Sequence, residues 1–171
     1  ASAEIWAATG LGLQGDVRKS GFNDVVVGLS GGIDSAVTTA IAADALGSES
    51  VLAVGMPTRY TSDESEEDAR SVAANLEIEF RDIPIENTFK AFETQLAATL
   101  DAGASVTEEN IQARIRGTTL MSIANEENRL VLATSNRSEL AVGYTTLYGD
   151  MVGALAPLAD VPKTTVYDLA A

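Results

Sequence analysis

Short apolar runs alternate with longer helix-like segments along this chain of 171 residues. The pattern predicts strands at 24–29, 51–56, 77–83 and 130–134, and helices at 34–46, 62–76, 84–100 and 107–127. Strands that alternate with helices are typical of an α/β fold, in which a parallel sheet carries helices on both faces. Val25, Val26 and Val27 form a continuous apolar run, as expected for a strand that is buried on both sides.

Helix start and stop signals describe the two ends of the chain and one internal loop. The pattern around Glu4 and Trp6 predicts that the chain begins in the middle of a helix. Pro162 is a good first helical residue, and the pattern after it reaches the last residue without a stop signal. We therefore expect residues 1–171 to be one domain that was cut from a longer protein at both ends. Residues 101–106 are predicted to form a surface loop, with Thr107 as the cap of the next helix.

Gly10, Gly12 and Gly15 match the spacing of a dinucleotide-binding fingerprint. That fingerprint has a physical meaning only between a strand and a helix, where its glycines let the backbone approach a pyrophosphate. The residues before these glycines lack the β-branched alternation of a strand, and charged residues follow from Asp16. We interpret the glycines as chance members of a loose amphipathic helix.

Polar clusters follow three of the predicted strands, at 30–35, 57–63 and 134–139. The carboxyl ends of parallel strands meet at one edge of a sheet, and ligands of such sheets bind beyond that edge. The sequence therefore predicts a binding site where these three clusters meet.

The first cluster reads Ser-Gly-Gly-Ile-Asp-Ser and joins a strand to a helix. Gly31 and Gly32 lack a Cβ, so the backbone can take positive φ there and bring its N–H groups close to an anion. Ser30 and Ser35 add hydroxyls at the rim of the loop. The Asp34 carboxylate can cap the helix or hold a magnesium ion that bridges phosphates. This cluster predicts a pocket for a polyphosphate.

The loop differs from a Walker loop, which needs a lysine followed by Ser or Thr after its glycines. Here the corresponding stretch carries an aspartate, so the cation must come from elsewhere in the chain. The pattern Ser-Gly-Gly-Xaa-Asp-Ser resembles the loop of the ATP pyrophosphatases, which split ATP between its α and β phosphates. The alternative is an ordinary glycine-rich turn capped by Ser or Asp.

The composition narrows the chemistry that is available. The chain has no cysteine and no histidine, which excludes disulfides, thiolate nucleophiles, Ser–His or Cys–His pairs, and zinc sites built on those residues. A net charge of −14 argues against a nucleic-acid surface and leaves phosphate binding to local donors and a metal. No apolar run is long enough to span a bilayer and no signal-peptide pattern is present, so we expect a cytoplasmic protein without a membrane partner. Asn136 opens a glycosylation sequon, which we interpret as incidental.

Four ordered segments together resemble the synthetase domain of NAD synthetase, and more narrowly its glutamine-dependent form. The first is the stretch at 28–35, called the phosphate loop from here on. The others are Asn110-Ile-Gln-Ala-Arg-Ile-Arg-Gly, the stretch at 132–150 that contains Thr-Ser-Asn-Arg-Ser-Glu and Tyr-Thr-Thr-Leu-Tyr-Gly-Asp, and Pro157-Leu-Ala-Asp-Val-Pro-Lys-Thr. The resemblance covers residues 24–171 and implies a Rossmann-like fold of the adenine nucleotide alpha hydrolase type.

The resemblance implies an ATP-dependent amidation. The carboxylate of deamido-NAD attacks the α phosphorus of ATP, pyrophosphate leaves, and ammonia displaces AMP from the acyl-adenylate. ATP and Mg²⁺ are the implied cofactors, and ammonia comes from glutamine through a glutaminase domain. That domain uses a cysteine nucleophile, which this chain lacks, so ammonia must be supplied from outside it. A homodimer is implied as well.

Carried over residue by residue, the resemblance assigns the ATP phosphates to one run of the chain: Gly28, Leu29, Ser30, Gly31, Gly32, Ile33, Asp34 and Ser35. Asp34 and Glu139 are expected to hold magnesium, Thr134 to contact ATP, and Lys163 to supply the missing cation. Asp34 and Lys163 therefore carry catalysis, and Met56 is expected beside adenine. The implied deamido-NAD site is lined by Asn110, Arg114, Glu139, Tyr144, Thr145, Thr146, Leu147 and Asp150.

Most of these assignments have a simpler structural alternative. The alternatives are a solvated helix carboxylate for Glu139, a surface lysine for Lys163, a helix-start residue for Asn110, helix-surface charges for Arg114 and Arg116, and a core-facing pair for Tyr144 and Tyr148. The joint order of the four segments is what favours the functional assignments.

Two other functions stay open on the sequence alone. One is a different ATP pyrophosphatase, such as a GMP synthetase or a transfer-RNA modifying enzyme. The missing cysteines count against thiolation, and the acidic balance counts against RNA. The other is a nucleotide-binding module without catalysis, either regulatory or disabled by truncation.

Overall fold

The computed structural model describes residues 2–100 and 105–171 and shows a four-stranded parallel sheet between two layers of helices. The elements in chain order are α1 Ser2–Lys19, β1 Val25–Gly28, α2 Ile33–Leu46, β2 Val51–Gly55, α3 Asp63–Asn75, β3 Glu79–Asp82, α4 Glu86–Gln95, α5 Val106–Glu127, β4 Leu130–Leu132, α6 Arg137–Val142 and α7 Lys163–Ala170. The strand order is β3-β2-β1-β4, and every pair is parallel. The predicted α/β fold is confirmed.

The three valines of β1 belong to two different cores. Val25 and Val27 pack in a cluster that α1, α2, α3 and α7 share, whereas Val26 packs with α4 and α5 on the other face. Successive side chains of a strand point to opposite faces, so a strand covered on both sides needs an apolar residue at every position. All three valines have no exposed surface. The sheet is therefore packed on both faces, and it positions the loops that follow its strands.

Several predicted elements are longer than the observed ones. Strand β4 ends at Leu132, which forms a parallel bridge with Leu155, and the N–H of Ala133 donates to the carbonyl of Leu155 at 2.8 Å. Helix α4 begins after Ile85, whose N–H donates to the carbonyl of Pro57 at 3.0 Å, and it ends at Gln95 rather than residue 100.

The cap predicted at Thr107 is wrong, because Ser105 caps α5. The Ser105 hydroxyl accepts from the Glu108 N–H at 3.3 Å, and the Glu108 carboxylate accepts from the Ser105 N–H at 3.3 Å. This reciprocal pair satisfies two backbone donors, which a cap at Thr107 with Asn110 three residues later would not do. Most of the loop predicted at 101–106 lies outside the described residues.

The ends of the chain are helical, as predicted. Gly10, Gly12 and Gly15 lie inside α1, which confirms that they are not a strand-to-helix nucleotide loop. Pro162 is the N-cap of α7 rather than its first residue. No helix within the described residues combines the length and the apolar character that crossing a membrane requires.

A single buried hydroxyl provides a test of the packing beneath the loop. Thr38 on α2 has no exposed surface, and its hydroxyl has no hydrogen-bond partner among the described residues. Thr38→Val keeps the shape and removes the unsatisfied group, so we expect the free energy of unfolding to rise by about 1 kcal/mol in urea denaturation. The control is Thr39→Val, since Thr39 is equally buried but donates to the Ser35 carbonyl at 2.6 Å. A loss of stability in both variants would contradict the unsatisfied state of Thr38.

Candidate functional site

The loop between β1 and α2 has the backbone of an anion site. Gly31 has a φ of +82°, in the left-handed region that favours glycine. Gly32 is the N-cap of α2 with a φ of −80°, so the positive φ predicted there is wrong. No side chain caps α2, which leaves N–H groups of its first turn available to a ligand.

The two serines of the loop bind each other and the backbone. The Ser35 hydroxyl donates to the Gly32 carbonyl at 2.9 Å and accepts from the Ser30 N–H at 3.2 Å. Ser35 is buried, so its predicted position at the rim is wrong, whereas Ser30 is exposed. The Gly32 N–H donates to the Ser30 hydroxyl at 3.2 Å. An anion that uses this N–H has to displace the exposed Ser30 hydroxyl.

Asp34 points to other helices instead of capping its own. Its Oδ1 accepts a hydrogen bond from Nδ2 of Asn136 at 2.9 Å, and its Oδ2 accepts one from Nζ of Lys163. Lys163 opens α7, and its Nζ also lies 5.5 Å from the centre of the Tyr167 ring. The structure therefore brings the predicted cation, Lys163, next to the predicted metal ligand, Asp34. Lys163 is not an isolated surface lysine.

Glu139 and Asn136 form the start of α6. The Asn136 Oδ1 accepts from the Glu139 N–H at 3.0 Å, and the Glu139 Oε2 accepts from the Asn136 N–H at 3.1 Å. This capping box fixes Glu139, which is half-buried, on the same residue that contacts Asp34. The alternative of a freely solvated helix carboxylate is wrong.

The two carboxylates that Asn136 binds are of the ligand type that a magnesium ion prefers. Mg²⁺ prefers oxygen ligands and is commonly held by one or two carboxylates together with waters and substrate phosphates. Asp34 and Glu139 supply two carboxylates, each with one oxygen already bound by Asn136. Within the described ranges, no group of three or more Asp, Glu, His or Cys side chains could hold a metal by itself. The ion would therefore need the phosphates of a ligand to complete its shell.

A cleft of about 470 Å³ opens at the carboxyl ends of β1, β2 and β4. Its size falls in the range of small-molecule sites. Six residues that the sequence predicted for the site line it: Gly28, Leu29, Ser30, Met56, Thr134 and Asp150. Asp34, Glu139 and Lys163 are not among the lining residues; of the three, Asp34 follows four residues after Ser30 of the cleft.

Five of the eight predicted deamido-NAD residues interact where α5 faces the segment at 144–150, whereas Glu139 lies apart from them at the start of α6. The Thr146 hydroxyl donates to Oδ1 of Asn110 at 2.7 Å, and its N–H donates to Oδ1 of Asp150 at 2.6 Å. Nε of Arg114 donates to the Leu147 carbonyl at 3.1 Å. Asn110 and Arg114 thus hold this segment rather than only starting a helix or charging its surface.

The two tyrosines of this segment are largely exposed. Tyr144 and Tyr148 are 78% and 72% exposed, so the alternative of a core-facing pair is wrong. Thr145 is half-buried and Leu147 is 57% exposed. None of these side chains lines the cleft, although Asp150 of the same segment does.

Arg116 lines the cleft, whereas from the sequence it was interpreted only as a possible helix-surface charge. It is half-buried, its Nε donates to the Met56 carbonyl at 3.1 Å, and burial lowers the pKa of its guanidinium. The contact joins residues 60 apart in the chain, so only the folded structure reveals it. The carbonyl of Met56, the residue expected beside adenine, therefore accepts a hydrogen bond from Arg116.

Arg70 is a second cation on the cleft wall that the sequence missed. It donates to Oδ2 of Asp82 at 2.6 Å and to Oε2 of Glu66 at 2.9 Å, and these hydrogen bonds raise its pKa. The spacing of Glu66 and Arg70 on one helix face was visible in the sequence. Asp82 comes from β3, and its part in the pair depends on the fold.

Known proteins are similar to this chain in both sequence and fold. The model of the NAD synthase family matches residues 5–171. The glutamine-dependent NAD(+) synthetase of Aquifex aeolicus is 52% identical over 168 residues, which are 98% of this chain and 30% of that protein. The chain thus spans about 30% of the length of this relative.

Two solved structures match the fold over almost the whole chain. The glutamine-dependent NAD+ synthetase of Acinetobacter baumannii in complex with ADP has a TM-score of 0.96 and 50% identity, with 99% of this chain and 32% of that chain covered. The NH3-dependent NAD synthetase of Campylobacter jejuni in complex with nitrate has a TM-score of 0.90 and 36% identity, with 99% and 72% covered.

Proposed function

The chain belongs to the NAD synthase family, and we propose that it supplies the part of such a ligase that uses ATP to amidate deamido-NAD to NAD. The observation that carries the proposal is the meeting of the glycine loop with Asp34, Lys163 and Asn136 at the carboxyl edge of the sheet. The relative from Acinetobacter baumannii was solved with ADP, which supports an adenine nucleotide as the ligand.

The β1–α2 loop is proposed to bind the ATP phosphates. The first turn of α2 presents backbone N–H groups to them, and Gly31 allows the close approach of the backbone. Thr134 and Met56 line the cleft beside the loop, where they would contact the rest of the nucleotide. In a chain with a net charge of −14, such local donors are what overcomes the overall repulsion of a polyphosphate.

Lys163 is proposed to compensate the charge of the leaving pyrophosphate. Its ammonium already lies beside the phosphate loop because Asp34 holds it there. Positioned charge of this kind is most effective where negative charge develops, and it costs no rearrangement at the moment of reaction. Asp34 and Glu139 would hold Mg²⁺, which supplies further positive charge to the phosphates when it is bound.

The segment at 144–150 is proposed to bind deamido-NAD. Asn110 and Arg114 hold this segment against α5, and Asp150 brings it to the edge of the cleft. The exposed Tyr144 and Leu147 offer apolar surface to a ring of the substrate. The proposal includes the route through an acyl-adenylate, with AMP and pyrophosphate as products.

Ammonia is the second substrate of the proposed reaction. The chain contains no cysteine, so it has no thiol nucleophile with which to hydrolyse glutamine. In the proposal, glutamine-derived ammonia reaches the site from a glutaminase outside these residues, and free ammonium replaces it in an assay.

The proposal is tested by calorimetry with ATP and Mg²⁺, followed by an assay of deamido-NAD with ammonium. We expect magnesium-dependent ATP binding and the release of AMP and NAD in equal amounts. Nucleotide binding without any AMP release would instead favour a module that binds but does not react. Amidation of a different nucleotide acid, with none of deamido-NAD, would favour another ATP pyrophosphatase.

A further inference from the structure

Asn136 connects the two carboxylates of the proposed magnesium site. Its Nδ2 donates to Oδ1 of Asp34 at 2.9 Å, and its backbone N–H donates to Oε2 of Glu139 at 3.1 Å. Asn136 is fully buried, although it opens a sequon in the sequence. A single residue therefore holds one oxygen of each carboxylate.

The orientation of the Asn136 carboxamide follows from its partners. Its Oδ1 accepts from the Glu139 N–H at 3.0 Å, while its NH₂ group faces the Asp34 carboxylate. A flipped amide would place its oxygen against the carboxylate and its NH₂ against a backbone N–H, and both contacts would be repulsive. Only one orientation satisfies the network, and it ties α2 to the start of α6 across 102 residues of sequence.

We propose that Asn136 is a positioning residue, which sets the Asp34 carboxylate relative to Glu139 before the nucleotide and its cation bind. The inference rests on the proposed function. Without the Asn136 amide, Oδ1 of Asp34 loses this donor, and the carboxylate keeps the Lys163 ammonium as its partner. The cation meets the Lys163 ammonium on Asp34 in either case, but without Asn136 the carboxylate is no longer tied to the residue that also holds Glu139.

The simpler role of Asn136 is that of a helix cap, and one substitution separates the two roles. Serine is about as good an N-cap as asparagine, because its hydroxyl accepts from the same backbone N–H. Serine has no NH₂ group, however, and is too short to reach Asp34. Asn136→Ser thus keeps an acceptor for the cap of α6 and removes the hydrogen bond to Asp34, together with some buried packing.

The experiment measures the half-saturating Mg²⁺ concentration for ATP binding by calorimetry, together with kcat, KM and the melting temperature. For Asn136→Ser we expect a lower melting temperature, because a fully buried hydrogen bond to a carboxylate and some packing are lost. Because partners that orient metal ligands typically contribute about 10–100-fold, we expect a rise of about tenfold in half-saturating Mg²⁺ and a similar fall in kcat. KM for deamido-NAD should be unchanged.

Ser105→Ala is the matched control. It removes the side-chain acceptor of the capping box on α5, which has the same form as the one on α6 but no contact with Asp34. We expect a lower melting temperature with unchanged half-saturating Mg²⁺. In an Asp34→Asn background, Asn136→Ser should have no further effect on the Mg²⁺ response, since the carboxylate that Asn136 is proposed to position is already absent.

Three outcomes would overturn the inference. If wild-type protein binds ATP with Mg²⁺ but Asn136→Ser shows the same Mg²⁺ response, the inference fails and the proposed function stands. An undiminished effect of Asn136→Ser in the Asp34→Asn background overturns it as well. If wild-type protein does not bind ATP with Mg²⁺ at all, both proposals fail.

A measurement on wild-type protein avoids any dependence on the folding of the variant. The assigned side-chain NH₂ signals of Asn136 in ¹⁵N NMR should shift during titration with Mg²⁺ and ATP, with the midpoint found by calorimetry. Signals that stay in place through saturation would show that Asn136 only caps α6, and would overturn the inference.

Discussion

Replacing Gly31 with alanine is expected to abolish nucleotide binding and to lower the free energy of unfolding by about 2–4 kcal/mol. Gly31 has a φ of +82°, which is strained for any residue with a side chain. A Cβ at this position would also lie 2.2 Å from the carbonyl oxygen of Ser65, a backbone atom that cannot turn away. The loop would have to shift, and the N–H groups that we propose bind the phosphates would shift with it. Urea denaturation and calorimetry with ATP and Mg²⁺ measure the two effects.

Gly21→Ala separates the backbone strain from the collision. Gly21 has nearly the same φ, +81°, but no atom lies within 4 Å of a Cβ built there. This variant should lose only about 1–2 kcal/mol of stability, from the left-handed backbone, and should bind ATP normally. If both variants lost the same stability and both still bound ATP, the close approach of the loop to α3 would be refuted.

The sheet could be predicted from the sequence because its strands obey a local rule. A strand covered on both faces needs apolar residues at consecutive positions, and Val25, Val26 and Val27 satisfy that rule without reference to the rest of the chain. The helices between the strands then leave a parallel sheet as the outcome. The same reasoning placed the ligand at the carboxyl edge, where the cleft lies.

Element ends could not be predicted in the same way, because distant residues decide them. The end of β4 forms a bridge with Leu155, and the residue before α4, Ile85, donates its N–H to Pro57. No local propensity encodes these contacts. The cap of α5 is different. Ser105 and Glu108 have the spacing of a capping box, so this cap was visible in the sequence, although the prediction placed the cap at Thr107.

The candidate site shows the same division between local and distant information. The glycine loop is a local motif, and the identity of Lys163 came from a resemblance of ordered segments. The geometry that connects them was not visible in the sequence: the contact of Asp34 with Asn136 spans 102 residues, and that of Arg116 with Met56 spans 60. Polar residues that look like surface charges become part of a site only when the fold brings their partners to them.

Asp34→Asn is expected to lower the rate of NAD formation by roughly a hundred- to a thousandfold at saturating substrates, the scale of removing one group that stabilises developing charge. Asp34 accepts hydrogen bonds from both Lys163 and Asn136, so the loss of its charge removes an ion pair as well as a proposed magnesium ligand. An asparagine has nearly the same size, which keeps the packing of α2. Magnesium-dependent ATP binding, measured by calorimetry, should weaken together with the rate.

The control for this substitution lies on the same helix. Asp44, near the end of α2, accepts a hydrogen bond from Nε1 of Trp6 at 2.8 Å, and Asp44→Asn changes the net charge by the same amount while its amide oxygen can keep that bond. We expect Asp44→Asn to retain the rate and the Mg²⁺ response of wild type. A general effect of charge would slow both variants equally, whereas a role for the Asp34 carboxylate slows only one. Wild-type Mg²⁺ dependence in Asp34→Asn would remove Asp34 from the site and leave Lys163 as the charged group beside the phosphate loop.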